Sequence, residues 1–366
     1  MSNPALSPLF RSLIPLLAAG IGATGCSYHG PDALRMTRSE YNVVIQQTNE
    51  QELLLNLVRL KYRDTPYFLS VEKVVSGLEF TRAASAGAGL PESADNSFSL
   101  AGSVGFAEKP TLFYSPLEGE KFVRQMMTPL SPDTLILLAN SGWSVERVFA
   151  VTLQEMNGLR NAPTASGPTP SREPEFRDFR AALRHLRALQ LRKQVELGRA
   201  PEVAGGGLEL RFAAGTADDP DALAFKRMLG LAPALERYRL VPGLGAAEPD
   251  SIRVATRSLI ATMNYLSQGV EAPETDRLAG RVTRTRGEDG RDFEWGDVLA
   301  GVFRVESGAG EPADAAVSVR YRDAWFSIRD DDLDSKATFS LLSQLLSLQG
   351  GQTPGQGAAI SYAIGR

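Results

Sequence analysis

The chain has 366 residues, of which 43% are hydrophobic and 8% aromatic, and its formal net charge is −4. A mildly acidic chain lacks the basic surface that nucleic acids require, and its length suits about two globular domains. With only His29, His185 and one cysteine, the composition disfavours a Ser-His-Asp triad, a Cys-His pair and a zinc site, and rules out an intramolecular disulfide. We therefore predict no catalytic residue, metal or cofactor, and a solvated His185 beside Arg184 and Arg187.

The single cysteine, Cys26, directly follows a short apolar segment. Residues 13–25 are apolar or small, and Arg11 precedes them. This run is too short to span a bilayer and is typical of a secretory signal. A cysteine after Ala-Thr-Gly resembles the lipobox of bacterial lipoproteins, although Ala23 stands where that family usually has leucine. The alternative is an ordinary signal peptide followed by a chance cysteine.

The lipoprotein resemblance implies an anchored protein. Residues 1–25 would be cleaved off, and Cys26 would receive a diacylglycerol and a further acyl chain. Each buried CH₂ group contributes about 0.8 kcal/mol, so two or three chains hold a protein durably. Ser27 stands where aspartate would resemble an inner-membrane retention signal, which favours the outer membrane. The expected partners are this membrane and envelope proteins or further copies of the chain.

After a predicted tether at residues 26–40, the apolar spacing predicts a helix from Tyr41 to Tyr62. Either Thr48 or Asn49 begins a sequence typical of a capping box, so two shorter helices are an alternative. Pro66 disfavours the helical basin at Thr65 and ends the element.

Residues 71–115 carry a period-two pattern. Phe98, Leu100, Val104 and Phe106 alternate with small or polar residues, and a similar pattern covers residues 74–82. This pattern predicts a β-hairpin with short flanking strands at residues 67–71 and 111–114. The favoured interpretation places one hairpin face on a protein core. The alternative is a membrane-inserting hairpin, since ten residues per arm span about 33 Å.

Two α+β subdomains are predicted, one at residues 41–160 and the other at residues 175–366. The first continues with helices at residues 119–127, 134–139 and 144–157. The stretch at residues 161–174 is rich in proline, glycine and serine and has linker composition. The fold class is α+β, with helices packed on a mainly antiparallel sheet.

The second subdomain is predicted to open with a helix over residues 175–197, whose exposed face is rich in arginine. A solvated face is the favoured interpretation of that pattern, and attraction to anionic lipid is the alternative. Strands and helices then alternate, including a hairpin turn at Arg322-Asp323 and a final helix capped by Asp332 or Asp334. The further predicted elements are strands at 208–212, 238–241, 251–254, 293–298, 302–306, 315–321, 324–328 and 360–364, and helices at 221–229 and 258–268.

Two clusters invite a functional interpretation. Asp330, Asp331, Asp332 and Asp334 could hold Ca²⁺ or Mg²⁺, but aspartates at a helix N-terminus are also stabilised by the helix dipole. The aromatic segment from Tyr321 to Phe326 could stack on a sugar or a partner. Core packing is the favoured interpretation there.

Four segments carry a resemblance, at residues 50–66, 113–120, 319–326 and 334–339. Together they resemble a family of uncharacterised bacterial envelope lipoproteins. That family implies a location but no activity. We predict a non-enzymatic, lipid-anchored scaffold or assembly component of an envelope complex. A subunit of an oligomeric outer-membrane pore is the second hypothesis, and a carboxylate-dependent hydrolase the third.

Overall fold

A computed structural model describes the backbone of residues 29–88, 98–200, 207–246, 248–350 and 363–364, and within these the side chains of 39, 41–69, 115–200, 207–246 and 248–349. The chain divides into two compact units, Met1–Glu52 and Leu53–Arg366. The signal segment and Cys26 lie outside the described residues.

The first unit contains most of helix α1, His29–Lys61. The helix therefore begins inside the predicted tether at residues 26–40, which corrects that prediction. Pro31 lies in the first turn, where a missing N–H costs nothing, and no proline or glycine follows until Pro66. The helix also runs unbroken through Thr48, whose hydroxyl donates to the carbonyl of Val44 at 2.9 Å. That hydroxyl bonds backward within the helix instead of capping a new one, so the alternative of two shorter helices is wrong.

The second unit contains a long two-stranded ribbon, which we call the β-ribbon. It consists of β1 (Leu69–Ala88) and β2 (Phe98–Pro116), which are antiparallel. Their register runs from Leu69 opposite Pro116 to Ala88 opposite Phe98, with an irregularity between Val71 and Lys73. The hairpin is confirmed, but its predicted short strands are joined into two long ones. The tip at residues 89–97 is outside the described part.

A short C-terminal strand, Ala363–Ile364 (β12), joins the β-ribbon. It runs parallel to β1, opposite Gly77 and Leu78. Residues 360–362 of the predicted terminal strand lie outside the described residues.

A six-stranded sheet forms the centre of the second unit. Its order is β4-β3-β8-β7-β6-β5, and all neighbours are antiparallel except β7 and β8. Together with the packed helices, this confirms the α+β class. The strands are β3 Leu153–Met156, β4 Leu159–Arg160, β5 Val195–Arg199, β6 Leu208–Phe212, β7 Arg237–Pro242 and β8 Ser251–Thr256.

This sheet takes strands from both sides of residues 161–174, which corrects the predicted subdomain boundary. Asn161, Ala162 and Ala165 are fully buried. The Asn161 amide donates to the carbonyls of Ala150 and Leu153 at 2.8 and 2.7 Å. Linker composition therefore marks an irregular but packed segment, which includes the 3-10 turn Pro163–Ser166.

Most predicted helices are present with capped starts. The helix that begins after Ser144 ends at Thr152, not Asn157, because residues from Leu153 onward are extended and form β3, which pairs with β8. Asn157 and Gly158 adopt positive φ angles and turn the chain between β3 and β4. The helix predicted over residues 175–197 ends at Leu191. The helices are α2 Glu120–Met127, α3 Pro132–Asn140, α4 Val145–Thr152, α5 Arg177–Leu191, α6 Pro220–Met228, α7 Leu259–Ser267, α8 Glu274–Leu278, α9 Gly296–Leu299 and α10 Leu333–Gly350.

A three-stranded sheet of order β10-β11-β9 completes the second unit. Its strands are β9 Glu306–Gly308, β10 Ala315–Tyr321 and β11 Ala324–Arg329. Tyr321 pairs with Ala324, which confirms the predicted turn at Arg322-Asp323. None of the helices in the described part of the chain is long and apolar enough to cross a membrane.

The strands predicted at residues 293–298 and 302–306 are wrong. Helix α9 and turns occupy this stretch, and only Glu306 begins a strand. The buried apolar residues recur with spacings of three, one, three and one, which is a helical pattern. They are Trp295, Val298, Leu299, Val302 and Phe303.

Candidate functional site

A cleft of about 950 Å³ opens in the second unit beside the end of α1. Its walls come from the last turn of α1, the end of β9, the turn between β10 and β11, and the start of α10. The rest of the lining comes from residues 268–277, 281–285, 292–296 and 299–304. Trp295 supports one wall, where its indole N–H donates to the Thr285 hydroxyl at 2.8 Å. A volume of this size falls within the range of small-molecule sites.

Lys61 lines this cleft from the last turn of α1. Its side chain is buried, and the Lys61 ammonium donates to the Gln268 carbonyl at 3.3 Å. That carbonyl lies at the C-terminal end of α7, where the helix dipole favours a cation. Burial, reinforced by the positive charge of Arg277, lowers the pKa of Lys61 to about 8. Among the described residues no carboxylate forms an ion pair with it.

The arginines that line the cleft are neutralised by carboxylates from the same lining. Arg281 pairs with Asp276 at 2.6 Å, and Arg304 pairs with Glu271 at 2.7 Å. Arg277 pairs with Glu274, and Arg284 with Asp292. The cleft therefore holds many charges, most of them already matched.

Asp276 also connects the cleft to Tyr62, whose hydroxyl donates to the Asp276 carboxylate at 2.5 Å. This hydrogen bond, followed by the bond from Arg281, holds the pKa of Asp276 below its usual value. Burial first and this bond second raise the pKa of Tyr62. The pair fixes α8 against the end of α1.

Two Tyr-Arg-Asp tripeptides meet here, one beginning at Tyr62 and the other at Tyr321. The two tyrosine rings are 5.4 Å apart, and the Arg322 guanidinium lies 4.6 Å from the Tyr62 ring centre. Asp64 accepts hydrogen bonds from the Tyr321 hydroxyl and from Arg322. Arg63 and Arg322 both have positive φ angles. Each tripeptide thus turns the chain, and the repeated sequence is a signal that our sequence analysis missed.

The aspartates at residues 330–334 are engaged separately. Asp331 pairs with Arg329 at 2.6 Å, and Asp330 pairs with Lys336 at 2.5 Å. Asp332 accepts from the Ser335 backbone N–H at 3.0 Å and caps α10. Among the described residues no group of three or more His, Cys, Asp or Glu side chains is arranged to hold a metal ion.

The aromatic segment is divided between core and surface. Phe326 is fully buried, while Tyr321 and Trp325 are half-buried. The pairing of Tyr321 with Asp64 gives it a structural role.

His185 is not a free surface residue, which corrects that expectation. Its Nδ1 lies 2.8 Å from the Asp221 carboxylate, which also pairs with Arg192 at 2.9 Å. The arginine-rich face of α5 is likewise partly used within the fold. Arg180 donates to the carbonyls of Val298 and Ala300 at 3.0 and 2.8 Å.

Arg257 is a buried structural residue that the sequence did not reveal. Only 1% exposed, it donates to the backbone carbonyls of Val151, Leu153 and Asn161, and its guanidinium lies 3.9 Å from the centre of the Tyr265 ring. Burial lowers the pKa of Arg257 to about 10. An isolated arginine after a strand carries no sequence signal for such a position.

No family profile, curated protein or solved structure matches this chain.

Proposed function

We propose that the protein is a lipid-anchored, non-enzymatic component of a bacterial envelope complex, and that the β-ribbon is its assembly element. The signal-like segment and Cys26 support the anchor. The β-ribbon carries the proposal about assembly. Its first strand has 20 residues, which corresponds to roughly 65 Å of extended chain.

A two-stranded ribbon is marginally stable in water on its own, so a partner would stabilise it. The β12 strand covers β1 only opposite Gly77 and Leu78 in the described part of the chain. A long unpaired strand edge presents N–H and C=O groups that can pair with another chain. These features favour association through the ribbon.

The register also gives the ribbon two unlike faces. Phe80 lies opposite Phe106, and Ala86 lies opposite Leu100, so these four positions share one face. Arg82 and Glu108 are the charged positions of that face. From Gly77 toward the tip the other face carries small or polar residues, for example Ser85 opposite Ala101 and Gly87 opposite Ser99.

The same ribbon supports a second candidate function, a subunit of an oligomeric outer-membrane pore. A transmembrane strand needs about 9–11 residues with alternating polarity. Each arm exceeds that length, and closure of a barrel would require several copies. The third hypothesis, a hydrolase, gains no comparable support because Asp330 and Asp332 are engaged by Lys336 and Ser335.

Two neighbouring positions of β2 test the assembly proposal. Leu100→Asp places a charge on the apolar face, and Ser99→Asp places the same charge on the other face. We expect wild type and Ser99→Asp to form the same oligomer in mild detergent, and Leu100→Asp to dissociate, by mass measurement. A monomeric wild type, or equal assembly of both variants, would contradict the role given to the apolar face.

Conductance then separates the scaffold from the pore. The test uses a variant in which a short glycine-containing turn replaces Ala84–Asn96, so that the tip of the hairpin is absent. Discrete channels in planar bilayers that disappear in this deletion would favour the pore over the scaffold. A folded oligomer without conductance would favour the scaffold.

A further inference from the structure

The charges that line the cleft fall into two groups. Most are matched within the protein, as described above, and Asp334 is paired with Arg147 outside the cleft. Asp332 is held by the N–H and hydroxyl of Ser335. In the described structure three lining charges form no ion pair, namely Lys61, Glu294 and Asp323. The charge of Glu294 acts on Lys61 without a direct contact and opposes the lowering of the Lys61 pKa.

These three charges differ in sign and in exposure. The Lys61 side chain is only 8% exposed and uses one hydrogen bond, to the Gln268 carbonyl, although an ammonium has three donors. Glu294 and Asp323 are exposed acids of the same lining. The cleft thus combines one buried cation with acidic groups toward solvent.

A buried ammonium is stabilised most by an anionic oxygen, because charge-assisted hydrogen bonds are strong where water is excluded. A polyanion would be repelled, since the lining carries eight carboxylates against five cationic side chains. A ligand with one carboxylate and one ammonium complements Lys61 with its carboxylate and the exposed acids Glu294 and Asp323 with its ammonium. Such zwitterions are amino acids and short peptides with free ends.

We propose that this cleft binds a short zwitterionic peptide, with its terminal carboxylate on Lys61 and its ammonium toward Glu294 and Asp323. The cleft volume of about 950 Å³ suits a peptide of a few residues, and the half-buried Phe293 offers apolar contact to their side chains. This binding activity does not depend on the β-ribbon or on the lipid anchor.

Isothermal titration with trialanine as the probe tests the proposal on the folded full chain. We expect saturable binding with a Kd of about 1 mM or tighter. Trialanine amide, which lacks the carboxylate, and N-acetyl-trialanine, which lacks the ammonium, should each bind about tenfold more weakly or not at all. An absence of trialanine binding, or equal affinity for the free acid and the amide, would overturn the proposal.

The variant Lys61→Met tests whether Lys61 binds the terminal carboxylate of the peptide, and Lys226→Met is the matched control. Lys226 is also buried, but it donates to the carbonyls of Pro233 and Leu235 and does not line the cleft. We expect about a tenfold loss of trialanine affinity for Lys61→Met and none for Lys226→Met. Unchanged affinity in Lys61→Met contradicts the assignment, and if that variant does not fold, the comparison of acid with amide on the wild type decides.

Discussion

At the scale of single residues, we expect the buried cations to matter more for the stability of this fold than its many exposed ion pairs. Arg257 and Lys226 are buried and held by backbone carbonyls, not by carboxylates. Neutral acceptors of this kind compensate a buried charge only when several act together. The exposed pairs, such as Arg239 with Asp250 at 3.0 Å, contribute little by comparison.

Arg257→Met should therefore destabilise the protein strongly. The substitution leaves the Asn161 carbonyl buried without its arginine donor, removes one of the two donors to the Leu153 carbonyl, and loses the contact of the guanidinium with the Tyr265 ring. Each buried hydrogen bond lost in this way costs about 1–3 kcal/mol. We expect the free energy of unfolding in urea to fall by about 3 kcal/mol or more. Arg239→Met, at an exposed ion pair, should change it by less than about 1 kcal/mol. Similar small effects in both variants would contradict the structural role of Arg257.

Lys61 predicts a pH dependence of stability. Its pKa is about 8 in the folded protein, against 10.5 for an ordinary lysine. Between these values the unfolded chain binds the proton and the folded protein does not, so the free energy of unfolding rises with pH. We expect wild type to gain about 1–3 kcal/mol over Lys61→Met between pH 8 and 10.5.

Urea unfolding of both proteins at several pH values measures this difference. Lys193→Met, at an exposed lysine, serves as the control and should follow wild type. A difference between wild type and Lys61→Met that stays constant over this range would contradict the burial of a charged Lys61.

At the scale of secondary structure, the elements set by local signals were predictable. The helices predicted to open at Ser144 and Ser258 begin there, with both serines as N-caps, and the predicted turn at Arg322-Asp323 joins two strands. Elements that depend on distant contacts were not. The residues after Thr152 continue a helical apolar pattern, but they pair with β8 instead. The length of the β-ribbon likewise follows from pairing, which short alternating patterns do not specify.

Two aspartates at the start of α10 have different roles. Asp332 caps the helix, whereas Asp331 only forms an exposed ion pair. Asp332→Ala removes the acceptor for the Ser335 N–H, so we expect a loss of about 1 kcal/mol in the free energy of unfolding. Asp332→Asn keeps an acceptor and should be nearly neutral. Asp331→Ala, which removes only an exposed pair with Arg329, should cost less than about 1 kcal/mol.

Thermal unfolding of these variants, with and without Ca²⁺ and with a chelator, tests both interpretations of the acidic cluster. We expect no effect of Ca²⁺ or chelator on any of them. A large increase in the Tm of wild type with Ca²⁺, lost in the Asn or Ala variants, would favour the metal site over the helix cap.

At the scale of the whole molecule, the sequence indicated the fold class but not the domain organisation or the cleft. Lys61 contacts Gln268 across 207 positions of the chain, and Tyr62 contacts Asp276 across 214. A pattern of neighbouring residues in the sequence does not predict contacts between positions this far apart. Residues 161–174 were interpreted as a linker because a proline- and glycine-rich composition indicates irregular backbone. Composition does not indicate whether such a segment is buried, and the burial of Asn161 depends on its contacts with Ala150 and Leu153.

The proposed location of the protein at a membrane rests on lipidation of Cys26, which is predicted from the sequence. Cys26→Ala removes the only thiol that could accept a diacylglycerol. We expect the variant to lose incorporation of labelled palmitate and either to appear in the soluble envelope fraction or to remain unprocessed. The cause is the loss of acyl chains, each of which supplies about 0.8 kcal/mol per buried CH₂ group. Ser27→Ala, one residue further on, should keep both the label and the membrane attachment. A native protein without label, together with a Cys26→Ala variant attached at wild-type levels, would show that another part of the chain holds it on the membrane.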